Sequence, residues 1–230
     1  MGNDRPQNLM MNNSQRKSLE MVGNIFVEEK LQTTISFTSL FVLILEMLKD
    51  NVIDHLLEFY SSDMDFQDNQ IVYHENAEYK QKVKSLAKKP FHASLQWFVK
   101  EGVITDAEFD RLLEAEARRN DFVHELYTVV CSGILDSDIK LLADLMSIYK
   151  KIDSWWIYNI ETDWDEIENP DSVKMEDCIS GSLAMIDVMV RILLKGEGER
   201  YRECYAQIVE TVAQRTCKNT PGSTDDTRER

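Results

Sequence analysis

The stretch Thr105–Gly133, TDAEFDRLLEAEARRNDFVHELYTVVCSG, decides how this chain is read. Its opening, Thr105-Asp106-Ala107-Glu108, matches a capping box, in which the Thr and Glu side chains reciprocally satisfy exposed backbone N–H groups. Its closing Gly133 suits the left-handed turn that terminates a helix. Between them Phe109, Leu112, Leu113, Val123, Leu126 and Val130 share one stripe, so a single helix to about Ser132 is expected. Arg119 falls near the centre of that stripe, within reach of Glu116 and Val123. Asn120 and His124 stand one turn apart on its edge, while Arg118 lies on the opposite face with Glu114 and Asp121 at surface ion-pair spacing. An always-charged side chain aimed at the packed side of a helix needs a partner, a ligand or a catalytic role. Arg119 is therefore the residue to explain, and an internal pair with Glu116 is its plainest alternative.

Working outward, further helices announce themselves by their ends. Ser14 can cap an opening helix with Leu19, Val22, Phe26 and Val27 at helical spacing. The most hydrophobic helix spans roughly Ile35 to Tyr60, followed by an acidic, polar loop over Asp63–Asn69. Asn76 can cap a basic helix, Ala77–Lys88, and Pro90 opens another that ends near Gly102. Asp136 can cap the next helix, which carries Leu141, Leu142, Leu145, Ile148, Tyr149, Ile152 and Trp156. Asn169-Pro170 is read as the start of a helix through Leu194, and a last one runs from about Glu199 to Gln214. The expected architecture is all-α, an up-and-down helical bundle of six to eight helices. A flexible N-terminus (residues 1–13), one helical domain (14–217) and a disordered tail (218–230) complete it.

Hydrophobic residues make up 43% of the 230, enough for a core and against global disorder. The formal charge of −15 repels nucleic acid at long range, yet a recessed ribonuclease site remains compatible with it. Cys131, Cys178, Cys204 and Cys217 lie far apart without a CxxC pair, so reduced thiols in a cytoplasmic setting are expected and a zinc site is not. Ile35–Leu48 is apolar but too short to span a bilayer, so a buried core helix is expected and no membrane role.

At Arg119-Asn120-Asp121-Phe122-Val123-His124 the chain resembles the HEPN superfamily, all-helical domains marked by Arg, a polar residue and a His four to six residues on. The resemblance covers those six residues and the helical context. It implies a homodimer that brings two motifs into one cleft, and metal-independent RNA cleavage of the kind found in toxin–antitoxin and phage-defence systems. A toxin branch carries a tyrosine two places after the histidine, where this chain has Leu126. Within the resemblance, Arg119 would clamp phosphate, His124 would transfer protons and Asn120 would orient one of them. The chemistry suits these residue types, because imidazole titrates near neutrality and a guanidinium grips phosphate through two N–H groups. No cofactor and no metal are expected. RNA is the expected partner, or else a neutralising antitoxin or another protein if the fold serves as a scaffold.

Other groups have plainer readings. Trp155-Trp156, Tyr158 and Trp164 read as core and interface aromatics in preference to base-stacking groups. Lys80, Lys82, Lys84, Lys88 and Lys89, beside Tyr79 and Phe91, read as a solvated face in preference to an RNA contact. His55, His74 and His92 lack ligand spacing. Asp163, Asp165, Glu166 and Glu168 lack the glycine and terminal glutamate of a calcium loop.

Overall fold

Six aliphatic and aromatic side chains of one helix, from Phe41 to Leu56, are buried completely and form the axis of the fold. The computed structural model describes residues 13–61, 64–67, 70–167 and 169–203. Two compact units are distinguished, Met1–Ile186 and Asp187–Arg230. The axial helix, α2 (Glu28–Tyr60), begins before the apolar run because Glu28 and Glu29 sit in its first turn, where acidic groups offset the helix dipole. Helix α1 (Asn13–Phe26) precedes it, with only the extended Val27 between. Thr38 interrupts the apolar run harmlessly, since its hydroxyl donates to the Thr34 and Ile35 carbonyls. By length and composition α2 could cross a membrane, but ten of its residues are buried within the protein.

The remaining helices of the first unit are α3 (Ala77–Lys82), α4 (Pro90–Lys100), α5 (Asp106–His124), α6 (Leu126–Ser132) and α7 (Asp136–Trp156). Their directions follow from the contacts. Phe122 of α5 meets Phe37 and Phe41 edge-on at centroid distances of 6.2 and 5.1 Å, while Arg119 reaches Glu46, so α5 runs antiparallel to α2. Arg118–Asp138, Arg111–Asp144 and Glu108–Lys151 pairs make α7 antiparallel to α5 in turn. The fold is all-α with alternating helix directions, as the periodicity predicts.

The capping predictions at Asn76 and Thr105 hold: Asn76 accepts from Tyr79 N–H at 2.8 Å, and the Thr105–Glu108 box is complete. Gly102, Gly133 and Gly196 follow helices in the positive-φ conformation that glycine tolerates best. Helix α3 stops at Lys82, short of the expected Lys88, with a 3-10 turn over Lys84–Leu86 after it, and three further stretches differ from expectation. Part of the acidic loop folds into a hairpin, β1 (Met64–Gln67) with β2 (Gln70–Tyr73), in the antiparallel register Met64↔Tyr73. Asp65 holds His74 Nε2 at 3.0 Å, and Tyr73 donates to Glu58 at 2.7 Å, which anchors the hairpin to α2. After Pro170 only short 3-10 turns form. Helix α8 (Gly181–Lys195) starts where Ser180 Oγ accepts from Leu183 N–H and Ser180 N–H donates to Asp153. Asp136 is not a cap; the buried Asp138 accepts from Leu135 N–H at 3.0 Å instead. Residues 198–203 are helical; the rest of the expected last helix, the tail from Lys218, and positions 1–12 lie outside the described residues.

Candidate functional site

The expected motif helix is interrupted. Glu125 leaves helical geometry at φ −122°, ψ 30°, so α5 stops at His124 and α6 starts afresh at Leu126. The buried line of α5 is Leu112, Ala115 and Phe122, which places Phe122, not Val123, against α2. Val123, Leu126 and Tyr127 are left exposed. The sequence signal was the choice between two adjacent apolar residues, and the larger ring took the core.

That rotation changes the roles of the two arginines. Arg118 is not a surface residue of the opposite face: it donates through Nε and Nη2 to both carboxylate oxygens of Asp138 at 2.8 and 2.9 Å. The Asp138 side chain is 4% exposed. The guanidinium also lies 4.5 Å from the centroid of the Phe122 ring and donates to Asp121 at 3.3 Å. Hydrogen bonding to Asp138 raises the Arg118 pKa further, against the opposing effect of burial. This fork-on-fork pair joins α5 to the start of α7.

Arg119 is one-quarter exposed and turns toward α2. Its Nε lies 2.8 Å from Glu46 Oε1, but the N–H is not directed along that line and has no hydrogen-bond partner. The contact is an ion pair held by charge alone. Nη1 donates to Asn120 Oδ1 at 3.2 Å. Glu116, the expected partner, is instead occupied by His92 at 2.7 Å and Lys89 at 3.4 Å. Burial pushes the Glu116 carboxyl up, but the His92 hydrogen bond, with His92 and Lys89 alongside, outweighs it and its pKa is lowered.

Asn120 and His124 are both exposed. Among the described residues, His124 makes no hydrogen bond or ion pair. The structure thus holds a part-buried guanidinium, the amide bonded to it, and an exposed imidazole one turn beyond that amide, with Val123, Leu126 and Tyr127 exposed on the adjoining residues. Such a set can hold an anion and move a proton.

The other candidate groups separate clearly. Lys82, Lys84 and Lys89 are paired with Glu78, Glu75 and Glu116, and Tyr79 and Phe91 are buried, so these cations are largely offset by carboxylates. Trp156 belongs to the core and stacks on His55 at 4.6 Å, whereas Trp155 is half-buried. Among the described residues no group of three or more His, Cys, Asp or Glu is placed to hold a metal ion; Glu168 lies outside them. Comparison with protein-family models, curated proteins and solved structures finds no match.

Proposed function

We propose that this protein is a cytoplasmic, homodimeric endoribonuclease of HEPN type, with Arg119, Asn120 and His124 as its working residues. The observation that carries the reading is the exposed His124 next to the Arg119–Asn120 pair, while the neighbouring Arg118 is committed to Asp138. Arg119 would exchange its contact with Glu46 for an RNA phosphate, which an ion pair without a directed hydrogen bond makes inexpensive. In the reaction the 2′-oxygen forms a bond to the adjacent phosphorus as the P–O5′ bond breaks. One His124 accepts the 2′-hydroxyl proton and the other donates one to the leaving 5′-oxygen, giving a 2′,3′-cyclic phosphate and a 5′-hydroxyl. Neither metal nor cofactor enters these steps. A second subunit is called for because one chain offers one such histidine, and the apolar rim of Val123, Leu126 and Tyr127 suits burial against another copy.

The Glu46 contact is also what a non-catalytic scaffold would have, with Arg119 satisfied inside its own subunit. RNA cleavage by the parent, Arg119→Ala and His124→Ala proteins separates the two. The ribonuclease reading expects each variant to fold normally and lose about 100-fold or more in rate, as removal of a general acid–base group or of a charge-stabilising donor does. Equal rates in all three proteins, or no cleavage by the folded parent, would leave the scaffold reading standing.

A further inference from the structure

Away from the motif, a cavity of about 450 Å³ opens among the ends of α2, α3, α4 and α7. Tyr60 lies fourteen residues beyond Glu46 along α2, roughly 20 Å of helix rise, so this pocket is separate from the Arg119 contact. Phe59, Tyr60, Trp97 and Trp155 supply its aromatic walls. Neighbouring rings stand steeply to one another, as adjoining walls do: Phe59 to Tyr60 at 83°, Tyr60 to Trp97 at 82°, Trp97 to Trp155 at 69°. The Trp97 indole N–H donates to the Tyr60 hydroxyl at 2.9 Å, which fixes two of the walls. Ile160 completes the lining from a widened π turn in which Thr162 N–H reaches back to the Ile157 carbonyl, a backbone form that often accompanies functional sites.

The polar lining has a definite sign. Glu78 and Glu101 face the same space, and among the described residues the one cation lining it is Lys82. Its Nζ sits 5.4 Å from the Tyr60 ring centroid and 2.7 Å from Glu78 Oε1. The pocket therefore already engages an ammonium group, through an aromatic face and a carboxylate together. Lys82 is more than half exposed on a short surface helix, so it can swing away without disturbing the core. Entering such a pocket costs a metal cation or a primary ammonium strong hydration, which the more than half-exposed Lys82 side chain largely keeps. An alkylated ammonium is weakly hydrated and presents methyl groups that pack against rings while its charge meets their negative faces. Anions are disfavoured both by the two carboxylates and by the chain's charge of −15.

We propose that the Tyr60–Trp97–Trp155 pocket binds an alkylated ammonium head group, which takes the place that Lys82 Nζ holds over Tyr60. This goes beyond the ribonuclease reading and does not depend on it. The head group can belong to a small molecule or to a trimethylated lysine in a peptide, and the two are tested as separate arms.

Tryptophan fluorescence reports directly, since Trp97 and Trp155 form the walls. The full-length protein is titrated with choline, with a short trimethyl-lysine peptide, and with 3,3-dimethyl-1-butanol, the uncharged isostere of choline, at constant ionic strength. A saturable response to choline, to the peptide or to both is expected, with the neutral isostere at least about tenfold weaker. Response to the peptide alone assigns the head group to a partner chain; response to choline shows that the small molecule suffices. Lys82→Ala should tighten binding by removing the competing ammonium, and the exposed Glu101→Gln should weaken it without affecting the fold. Trp155→Leu should abolish it. Equal binding of the neutral isostere would overturn the proposal, as would no saturable response in either the parent or Lys82→Ala.

Discussion

The guanidinium of Arg118 meets both oxygens of a buried carboxylate, whereas that of Arg119, next to it in the chain, meets Glu46 near the surface. Removing them should have opposite consequences. Arg118→Met leaves Asp138 buried without its counter-charge, and a loss of about 3 kcal/mol in unfolding free energy is expected by denaturant titration. Arg119→Ala breaks a part-exposed pair of the kind that contributes about 1 kcal/mol or less, so its stability should be nearly that of the parent. Similar losses in both variants would contradict the assignment of one arginine to structure and the other to chemistry. Helical periodicity separated them on the wrong stripe and put Arg118 on the outer face, because the apolar stripe of the helix can be centred on Phe122 or on Val123. Only the packing of Phe122 against Phe37 and Phe41 settles the rotation.

At the level of elements, α6 ends at Gly133 in a conformation, φ 76° and ψ 175°, that other residues rarely adopt. A β-carbon there would also lie 3.2 Å from Asn24 Nδ2, which donates to the Cys131 carbonyl and ties α1 to the end of α6. Gly133→Ala is therefore expected to cost about 2 kcal/mol, and an unchanged melting curve would show that the turn is not under this constraint. Helix ends with local chemistry were legible in advance: the Thr105 capping box, the Asn76 cap and the glycine terminators depend on residues close in sequence. The ends that differed depend on distant partners. Ser180 opens α8 only because Asp153 of α7 holds its N–H, and the hairpin rests on Tyr73 reaching Glu58. The break at Glu125, directly after His124, had no glycine or proline to announce it. The motif residues were readable, but the surface that presents them was not.

On the scale of the whole molecule, burial lowers the His55 pKa where its ring stacks on Trp156, and the nearby Glu161, Asp153, Glu58 and Asp54 only partly oppose this. The unfolded chain takes up that proton near pH 6.5, while the folded protein resists it until lower pH. Stability should thus be full above the unfolded value and fall as pH drops toward the folded one. His55→Phe keeps an aromatic ring in the stack and should flatten the fall in stability that begins as pH drops through the unfolded value of about 6.5. An identical profile in the variant would assign the pH dependence elsewhere. The neighbouring Tyr149 is buried, its pKa pushed up to about 12 by burial and by the charges of Asp153 and Asp50, so it stays protonated throughout this range.

The most direct test of the proposed chemistry is the identity of the new RNA ends after incubation with the parent protein in excess EDTA, beside His124→Ala. The account predicts 2′,3′-cyclic phosphate and 5′-hydroxyl ends that disappear in the variant. Ends bearing a 5′-phosphate, or cyclic ends formed equally well without the imidazole, would contradict it.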